Sequence, residues 1–338
     1  MAIVVNYHDD LKEVQGDAVL AGLLSAPAAC APFDRLEWWR GLNEHCGIVP
    51  VIAVASDGAA RAVLPLRRNE RRLEALANWY SFRVSPLWTP GADPAALFAA
   101  MARDLAGEAP QIVLAPLPDE NGETTLLAEA FRKAGWTVFR EVCDTNHVLP
   151  VVRRSYAEYI ASRPGQLRTT LKRKANKVRV TIETSFNSAS WAAYEAIYAQ
   201  SWKPEEGSPV FLRAFAEAEG AAGRLRLGLA FAEGEPVAAQ FWTVEQGTAF
   251  IHKLANTEAS KALSPGTTLS AALFEHVIDR DRVELVDFGT GDDPYKRDWM
   301  EAQRPRYRLE LFCAGSPGNW PKIAKRVLRG LAGGARRG

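Results

Sequence analysis

The feature that most constrains the fold is that the chain runs through the same order of predicted helices and strands twice. Each half predicts a helix, three strands, a helix, a strand, a short helix and a closing strand, and matching elements lie about 170 to 180 residues apart. In a chain of 338 residues this predicts two α+β domains, each with a mixed sheet, rather than one large core. The alternative is two unrelated α+β domains whose helices and strands happen to follow a similar order.

Turn residues mark the strands in both halves. In the first half VPVIAVAS and ARAVLPLR flank Asp57-Gly58, which favours a hairpin. In the second half RLRLGLAFA and PVAAQFWTV flank Glu233-Gly234-Glu235, and TAFIHKLA leads through SPGTT into a helix. The predicted domains are residues 1–152 and 153–315, followed by a basic amphipathic tail over 316–338.

Composition excludes several classes of protein. A net charge of +1 argues against a molecule built as a whole for nucleic acid. The four cysteines form no CxxC pair and the five histidines show no HExxH spacing, so neither a disulfide framework nor a metal site is expected. The amino terminus lacks the basic region of a secretion signal, and no apolar run reaches the roughly 18 residues that span a bilayer. The expected location is the cytoplasm.

The segment VDFGTGDDPYKRDWM carries the strongest chemical signal. A strand runs into two glycines surrounded by carboxylates, of which Asp287 and Asp292 are candidate general bases, and Tyr295 is a candidate general acid. Lys296 follows as a candidate anion contact. A nucleotide-binding glycine loop is disfavoured, because Asp293 stands where a further glycine is expected and only about 45 residues follow.

A second segment, KALSPGTTLSAALFEHVI, predicts a helix whose first turn can hold an anion. The amides near the helix start have no acceptor within the helix and lie at the positive end of its dipole. Thr267 and Thr268 add hydroxyl donors. An ordinary Ser264 N-cap followed by Pro265 at the first helical position is the alternative.

Basic side chains form the third candidate. Arg168, Lys172 and Arg173 lie at helical spacing on a segment with a narrow apolar stripe, so they either contact phosphates or face solvent. Lys253, within the apolar strand AFIHKLA, either contacts a ligand or is a charge on an edge strand. The tryptophans Trp191, Trp202 and Trp242 are predicted to be core residues.

The tail predicts an amphipathic helix. Trp320, Ile323, Val327 and Leu331 share one face, with lysines and arginines elsewhere. This pattern suits an anionic membrane surface. A terminal helix docked on the protein is the alternative.

Together, RTTLKRKANK, the strand ending in HKLAN, the SPGTTL helix entry and DFGTGDDPYKRDWM resemble the CelD-like acetyltransferases. This is a branch of the GNAT (acyl-CoA N-acyltransferase) fold related to the FemAB peptidoglycan aminoacyltransferases. The resemblance is specific over Arg168 to Trp299 and implies tandem GNAT-like domains in a FemAB-like arrangement. It also implies acyl-CoA (acetyl-CoA) as co-substrate, with the pyrophosphate at Ser264, Pro265, Gly266 and Thr267.

The sequence departs from the common GNAT pattern, in which a glutamine or arginine precedes a GxG/A loop; one glycine, Gly266, is present here. The first half lacks both the glycine loop and the acidic motif, which implies a scaffold or substrate-shaping role.

The function that this resemblance implies is acyl transfer to an amine or hydroxyl of a small-molecule, glycolipid or sugar acceptor related to the envelope or to polysaccharide. In this mechanism Asp287 or Asp292 takes the acceptor proton and Tyr295 protonates the thiolate, while Lys253 lies near the reacting groups. One alternative is a FemAB-like aminoacyltransferase that uses aminoacyl-tRNA, the one case in which nucleic acid is expected as a partner. Another is a non-catalytic assembly factor for envelope polysaccharide that contacts the membrane through its tail.

Overall fold

The computed structural model describes residues 2–334, with side chains described through Leu328. The chain divides into two compact units, one of Met1–Asp144 with the chain from Pro305 onward, the other of Thr145–Arg304. Both units combine helices with a mixed sheet, as the sequence predicts. Of the predicted tail, residues 335–338 and the side chain of Leu331 lie outside the described part.

The first unit begins with seven strands and five helices. Its strands are β1 (Val4–His8), β2 (Pro50–Asp57), β3 (Ala60–Asn69), β4 (Arg72–Ala75), β5 (Leu87–Trp88), β6 (Gln111–Leu117) and the first part of β7 (Trp136–Pro150). Its helices are α1 (Leu11–Gly16), α2 (Ala18–Leu23), α3 (Leu36–Cys46), α4 (Pro94–Glu108) and α5 (Glu123–Lys133).

The second unit follows, after which the chain returns to the first. The helices of the second unit are α6 (Tyr156–Ala161), α7 (Gly165–Lys174), α8 (Ser188–Ala199), α9 (Pro209–Ala221), α10 (Pro265–Glu275) and α11 (Pro294–Trp299). Its strands are β8 (Arg179–Glu183), β9 (Leu225–Ala232), β10 (Glu235–Glu245), β11 (Thr248–Asn256) and β12 (Leu285–Thr290). The returning elements are β13 (Ala302–Cys313) and α12 (Trp320–Gly334).

The two sheets repeat one topology. In the first unit the strand order is β1-β2-β3-β4-β6-β13, and in the second it is β8-β9-β10-β11-β12-β7. In each sheet the first three pairings are antiparallel, the fourth (β4 with β6, β11 with β12) is parallel and the last is antiparallel. The repetition of predicted elements is therefore a repetition of structure.

The strand that closes each sheet explains why the units differ from the predicted boundaries at 152 and 315. The first sheet is closed by β13, in which Leu309 pairs with Leu114 of β6. The second sheet is closed by the end of β7, in which Leu149 pairs with Val286 of β12. The polar residues after Val142 gave no sign in sequence that β7 continues to Pro150, so the boundary was placed too late in the chain.

Helices cover both faces of the second sheet. A Cβ on Gly228 of β9 would lie 2.8 Å from Cδ1 of Leu269, so α10 packs directly against the backbone of that strand. On the opposite face the ring of Phe241 lies 5.4 Å from Trp191 of α8 and 5.7 Å from Phe215 of α9. The candidate site lies where these helices meet the carboxyl ends of the strands.

Candidate active site

The strands β11 and β12 run side by side at their starts and then separate. Their parallel pairing extends from Thr248 and Leu285 to Phe250 and Asp287. No further pair between them forms in the described chain, although both strands continue. Parallel strands end at the same edge of a sheet, which is where open α/β sheets bind ligands. The segment that leads into α10 and the acidic loop after β12 both follow these strand ends.

A β-bulge in β11 directs two side chains to one face. Phe241 of β10 pairs with Lys253, and the register then shifts so that His252 is the extra residue. The His252 ring lies 5.2 Å from that of Phe215 on α9, and Lys253 Nζ lies 2.9 Å from Glu206 Oε1. Lys253 is thus on an inner strand, and the alternative of an edge-strand charge is wrong.

The start of α10, from Ser264 to Thr268, has backbone amides arranged so that they can bind an anion, and we call it the anion seat. Ser264 occupies the N-cap position and Pro265 begins the helix, as in the N-cap alternative, but Ser264 adopts the left-handed conformation (φ 52°) and its side chain makes no capping bond. Its hydroxyl instead accepts a hydrogen bond from Lys174 Nζ at 3.0 Å. Pro265 has no amide, and the amides of Gly266 and Thr267 precede the first intrahelical bond, donated by Thr268 to Ser264.

Gly266 and Thr268 also fix the helix start in place. The carbonyl of Gly266 accepts a hydrogen bond from Gln240 Nε2 at 3.1 Å, and a Cβ at this position would lie 3.4 Å from Asn256 Oδ1. Thr268 is buried, whereas Gly266 and Thr267 remain half-buried. The helix start is therefore held by a hydrogen bond from β10, and the two residues that carry the amides remain partly exposed.

The equivalent helix of the first unit lacks this seat. In α4 the carboxylate of Asp93 caps the helix by accepting a hydrogen bond from Ala96 N at 3.1 Å. The amide of Val84, in the segment between β4 and β5, donates a hydrogen bond to the carbonyl of Pro116 in β6 at 2.8 Å. This segment therefore lies against β6. A carboxylate at the helix start repels an anion, and this agrees with the scaffold role expected for the first half.

The basic helix α7 packs against α10. Arg168, Lys172 and Arg173 are exposed and form no ion pair with a described residue, whereas Lys174 is half-buried and reaches Ser264. The structure thus brings the predicted basic segment next to the predicted anion seat. Lys174 was not predicted as a site residue, because the sequence does not distinguish it from the exposed lysines and arginines beside it on the same helix.

Asp287, a predicted base, is bound within the loop. Its side chain is 7 % exposed, and Oδ1 accepts hydrogen bonds from Asn146 Nδ2 and from the amide of Gly289, both at 2.7 Å. Gly289 has φ 66°, a conformation that favours glycine. These contacts suit a residue that shapes the loop.

Asp292, the other predicted base, is half exposed and paired. Its carboxylate accepts a hydrogen bond from Arg297 at 2.6 Å, and Oδ1 lies 3.1 Å from Nε2 of the buried His147. The bond from Arg297, with a smaller contribution from His147, lowers the pKa of Asp292. A lower pKa weakens this carboxylate as a proton acceptor.

Tyr295 and Lys296 follow on α11. The Tyr295 ring packs edge-on against Phe288 at 5.5 Å, and burial together with the charge of Asp293 raises the pKa of its hydroxyl. Lys296 is 5 % exposed and donates a hydrogen bond to the carbonyl of Thr290. In the structure Lys296 therefore stabilises the loop between β12 and α11.

A hollow of about 410 Å³ lies on the α8 and α9 side of the second unit. Aromatic rings of α8 form one wall and the loop between the two helices forms the other. Its lining residues are Trp191, Tyr194, Glu195, Tyr198, Ala199, Lys203, Pro204, Glu205, Glu206, Pro209 and Leu212.

Charged groups concentrate at this hollow, where Glu206 meets Lys253. Burial lowers the pKa of Lys203, and the nearby charge of Lys253 lowers it further. Burial lowers the pKa of Lys253, while Glu206 partly offsets that effect. Burial, with Glu206, raises the pKa of Tyr198 to about 12. Perturbed groups gathered in a concave pocket are typical of functional sites.

Sequence reasoning missed this hollow. Lys203, Glu205 and Glu206 form a short charged run with no periodicity, which reads as an ordinary loop. The exposed Trp202 gave a signal that was interpreted as core packing. That interpretation is wrong for Trp202, which is 55 % exposed, and right for Trp191 and Trp242, which are fully buried.

In the described residues, no group of three or more His, Cys, Asp or Glu side chains is placed to hold a metal ion. All four cysteines are free.

A model of the acetyltransferase (GNAT) domain family matches residues 158–297. No curated protein sequence matches the chain. The matched range contains the anion seat, the β11 bulge and the charged hollow, and it ends within α11.

Solved structures share the fold. FemX has a TM-score of 0.61 at 11 % identity, over 91 % of this chain and 97 % of that chain. A tandem GNAT protein from the clavulanic acid biosynthesis pathway has a TM-score of 0.51 at 14 % identity, over 91 % and 98 %. L-PGS from Bacillus licheniformis has a TM-score of 0.50 at 12 % identity, over 79 % and 85 %. The fold predicted from the motifs, two GNAT-like units in tandem, is confirmed by these structures.

Proposed function

We propose that this chain, whose residues 158–297 match a model of the acetyltransferase (GNAT) domain family, transfers an acyl group, in the simplest case acetyl, from acyl-CoA to an amine or hydroxyl. The acceptor class we propose is a small molecule, sugar or glycolipid of the cell envelope or of polysaccharide synthesis, reached from the cytoplasm. The observation that carries the proposal is the opening between β11 and β12, with an uncapped helix start at one side and a charged hollow on the α8 face.

The carrier binds at the start of α10 in this proposal. The amides of Gly266 and Thr267 donate to the pyrophosphate, and Lys174 adds a positive charge through its position on Ser264. Pro265 and Thr268 set the first turn. The exposed Arg168, Lys172 and Arg173 on α7 extend the positive surface toward the remaining phosphate of the carrier.

The thioester then lies along the separated edges of β11 and β12. An amide of β11 beyond the last pair with β12 holds the thioester carbonyl oxygen as negative charge develops there. The Tyr295 hydroxyl is protonated at neutral pH, as an ordinary tyrosine is, and in this proposal it donates a hydrogen bond to the departing thiolate. Asp287, Asp292 and Lys296 hold the loop that carries Tyr295.

The acceptor occupies the hollow beside α8, and Glu206 takes its proton. Glu206 faces this hollow and is held by Lys253, so its position is fixed. Tyr198 and the exposed Trp202 offer rings to a sugar or to a cationic amine. We place the general base here because Glu206 lines the hollow, whereas Asp287 and Asp292 are held within the loop after β12 by Gly289 and Arg297.

An aminoacyl-tRNA donor is the second candidate, and one observation favours it. Arg168, Lys172 and Arg173 are exposed without an ion pair in the described chain, on a single helix that could follow a phosphate backbone. Under this alternative, activity is lost on RNase treatment and falls steeply with salt. Under the acyl-CoA proposal, RNase has no effect.

A charge placed at the start of α10 tests the carrier site. Thr267→Glu puts a carboxylate beside the amides that would hold pyrophosphate, and we expect acetyl-CoA affinity, measured by calorimetry, to fall at least about tenfold. The helix itself tolerates the change, because an acidic residue is favourable in a first turn.

Ala96→Glu is the matched control, because Ala96 occupies the same position of α4 in the first unit, two residues after the proline that begins the helix. It should leave acetyl-CoA affinity unchanged. Equal losses in both variants would refute the assignment of the carrier to α10. An unaltered chain that binds no acyl-CoA would refute the acyl-CoA proposal and leave the aminoacyl-tRNA donor and the assembly factor, which the RNase and salt tests separate.

A further inference from the structure

The helix α12 exposes an apolar stripe. The side chains of Trp320, Val327 and Leu328 are 62 %, 47 % and 66 % exposed, and Ala324 lies between them. Positions separated by four, seven and eight residues share one side of an α-helix. Large apolar side chains rarely gather in contact with water unless the patch meets another surface.

Contacts on the other side fix the orientation of this helix. Arg326 donates to Glu310 through Nε at 2.8 Å and forms an ion pair with Glu141 at 2.8 Å. Ile323, on the same side, is half-buried. Before the helix, Asn319 donates to the carbonyls of Pro110 and Cys313. The helix is therefore docked on its unit with the apolar stripe turned outward.

The charge of this part of the chain differs from that of the rest. Of the 41 Lys and Arg and 40 Asp and Glu, six basic and none of the acidic residues lie from Leu311 onward, so the preceding chain carries a net charge of −5. Lys322 and Lys325 of α12 are exposed. A cationic end on an anionic body directs that end toward a negatively charged surface.

We propose that α12 lies flat on an anionic phospholipid surface, with Trp320, Val327 and Leu328 at the boundary between headgroups and acyl chains and with lysines contacting the phosphates. An apolar stripe that begins with tryptophan and is flanked by cations is the pattern of interfacial helices. RNA would leave the stripe exposed, and a second copy would bring the same positive charges together. No helix among the described residues is long and apolar enough to cross a membrane.

The binding adds a location to the enzyme and does not depend on the acyl-transfer proposal. An interfacial helix brings the chain to the surface on which lipid-borne acceptors lie. If α12 did not bind membranes, acetyl-CoA binding would be unaffected, so the two proposals can be tested separately.

Flotation of the full chain with lipid vesicles tests the surface. We expect the protein to float with vesicles of phosphatidylglycerol and phosphatidylcholine, and not with phosphatidylcholine alone. The double variant Val327→Glu/Leu328→Glu should reduce the bound fraction at least about tenfold, because two side chains lose their transfer out of water. Val49→Glu is the matched control, since Val49 is also 60 % exposed in the first unit but lies outside α12, and it should bind as the unaltered chain does.

A second variant separates charge from burial. Lys322→Gln/Lys325→Gln should lower the partition coefficient about 10- to 30-fold at low salt, with acetyl-CoA affinity unchanged. Three results would overturn the proposal: no flotation with anionic vesicles, flotation of Val327→Glu/Leu328→Glu equal to that of the unaltered chain, or a self-association that this variant abolishes.

Discussion

At the scale of single residues, the largely buried ion pair of Lys253 and Glu206 is difficult to explain by stability alone. Their side chains are 15 % and 13 % exposed and 2.9 Å apart. Burying two charges adds little net stability, since the loss of hydration offsets their attraction. The Lys253 ammonium also lies 5.3 Å from the centre of the Tyr198 ring. A fixed carboxylate held at the wall of a hollow is well suited to accept a proton from a bound substrate.

Replacing this carboxylate tests the role. Glu206→Gln keeps the hydrogen bond to Lys253 but cannot take a proton, so we expect the rate of acyl transfer, followed as CoA release, to fall about 10²–10⁴-fold. Acetyl-CoA affinity should be unchanged. Glu205→Gln is the matched control, because Glu205 also lines the hollow but is exposed, and it should keep most of the activity.

The competing assignment can be measured in the same assay. If Asp292→Asn lost transfer while Glu206→Gln kept it, the base would be the aspartate that the sequence motif predicts. The sequence could indicate Asp287 and Asp292 because they flank glycines after a strand. It could not show that hydrogen bonds from Gly289 and Arg297 occupy them, since those bonds depend on how the loop folds.

At the scale of elements, the position of α10 depends on a glycine in the strand beneath it. A Cβ at Gly228 would lie 2.8 Å from Leu269 and 2.9 Å from Leu273, both closer than real contacts allow. Those leucines lie on the helix whose first turn forms the anion seat. Any shift of α10 therefore moves the amides that we assign to the carrier.

Gly228→Ala should consequently destabilise the protein by about 1–3 kcal/mol, measured by urea unfolding, because a well-packed contact is forced apart. Acetyl-CoA affinity should fall with it. Gly107→Ala is the control: nothing lies within 4 Å of its added Cβ, and alanine in the α4 helix should raise stability by about 0.5–1 kcal/mol. A stable Gly228→Ala variant would contradict the packing argument.

Elements with strong periodicity or turn residues were predictable from the sequence. The hairpin of β9 and β10 and the helix α10 lie within a few residues of their expected places. The strand β8 was not predicted, because Arg179 continues a basic helical pattern. The helix α9 was missed because the charged run before it reads as loop.

At the scale of the whole molecule, the first sheet is closed by a strand that comes after the second unit in the sequence. The β13 strand follows the second unit yet pairs with β6, and it brings Leu309 and Leu311, both fully buried, into the first core. By contrast, Thr145–Arg304 contains every strand segment that its own sheet uses.

Truncation should therefore have opposite effects on the two parts. A chain of residues 1–152 lacks β13, so its β6 edge is unpaired and its core is open. We expect it to aggregate or to melt without a cooperative transition by circular dichroism. A chain of residues 145–304 should unfold cooperatively. Cooperative unfolding of 1–152 alone would show that β13 is dispensable.

The late position of β13 also sets an order of events during synthesis. Synthesis on the ribosome begins at the amino end, so most of the first unit is made early. The β6 edge of its sheet stays unpaired until residues 305–313 have been synthesised. The second unit has all its strands earlier. The second unit of the nascent protein should thus fold before the first unit is complete, and the first unit is the part most in need of a chaperone.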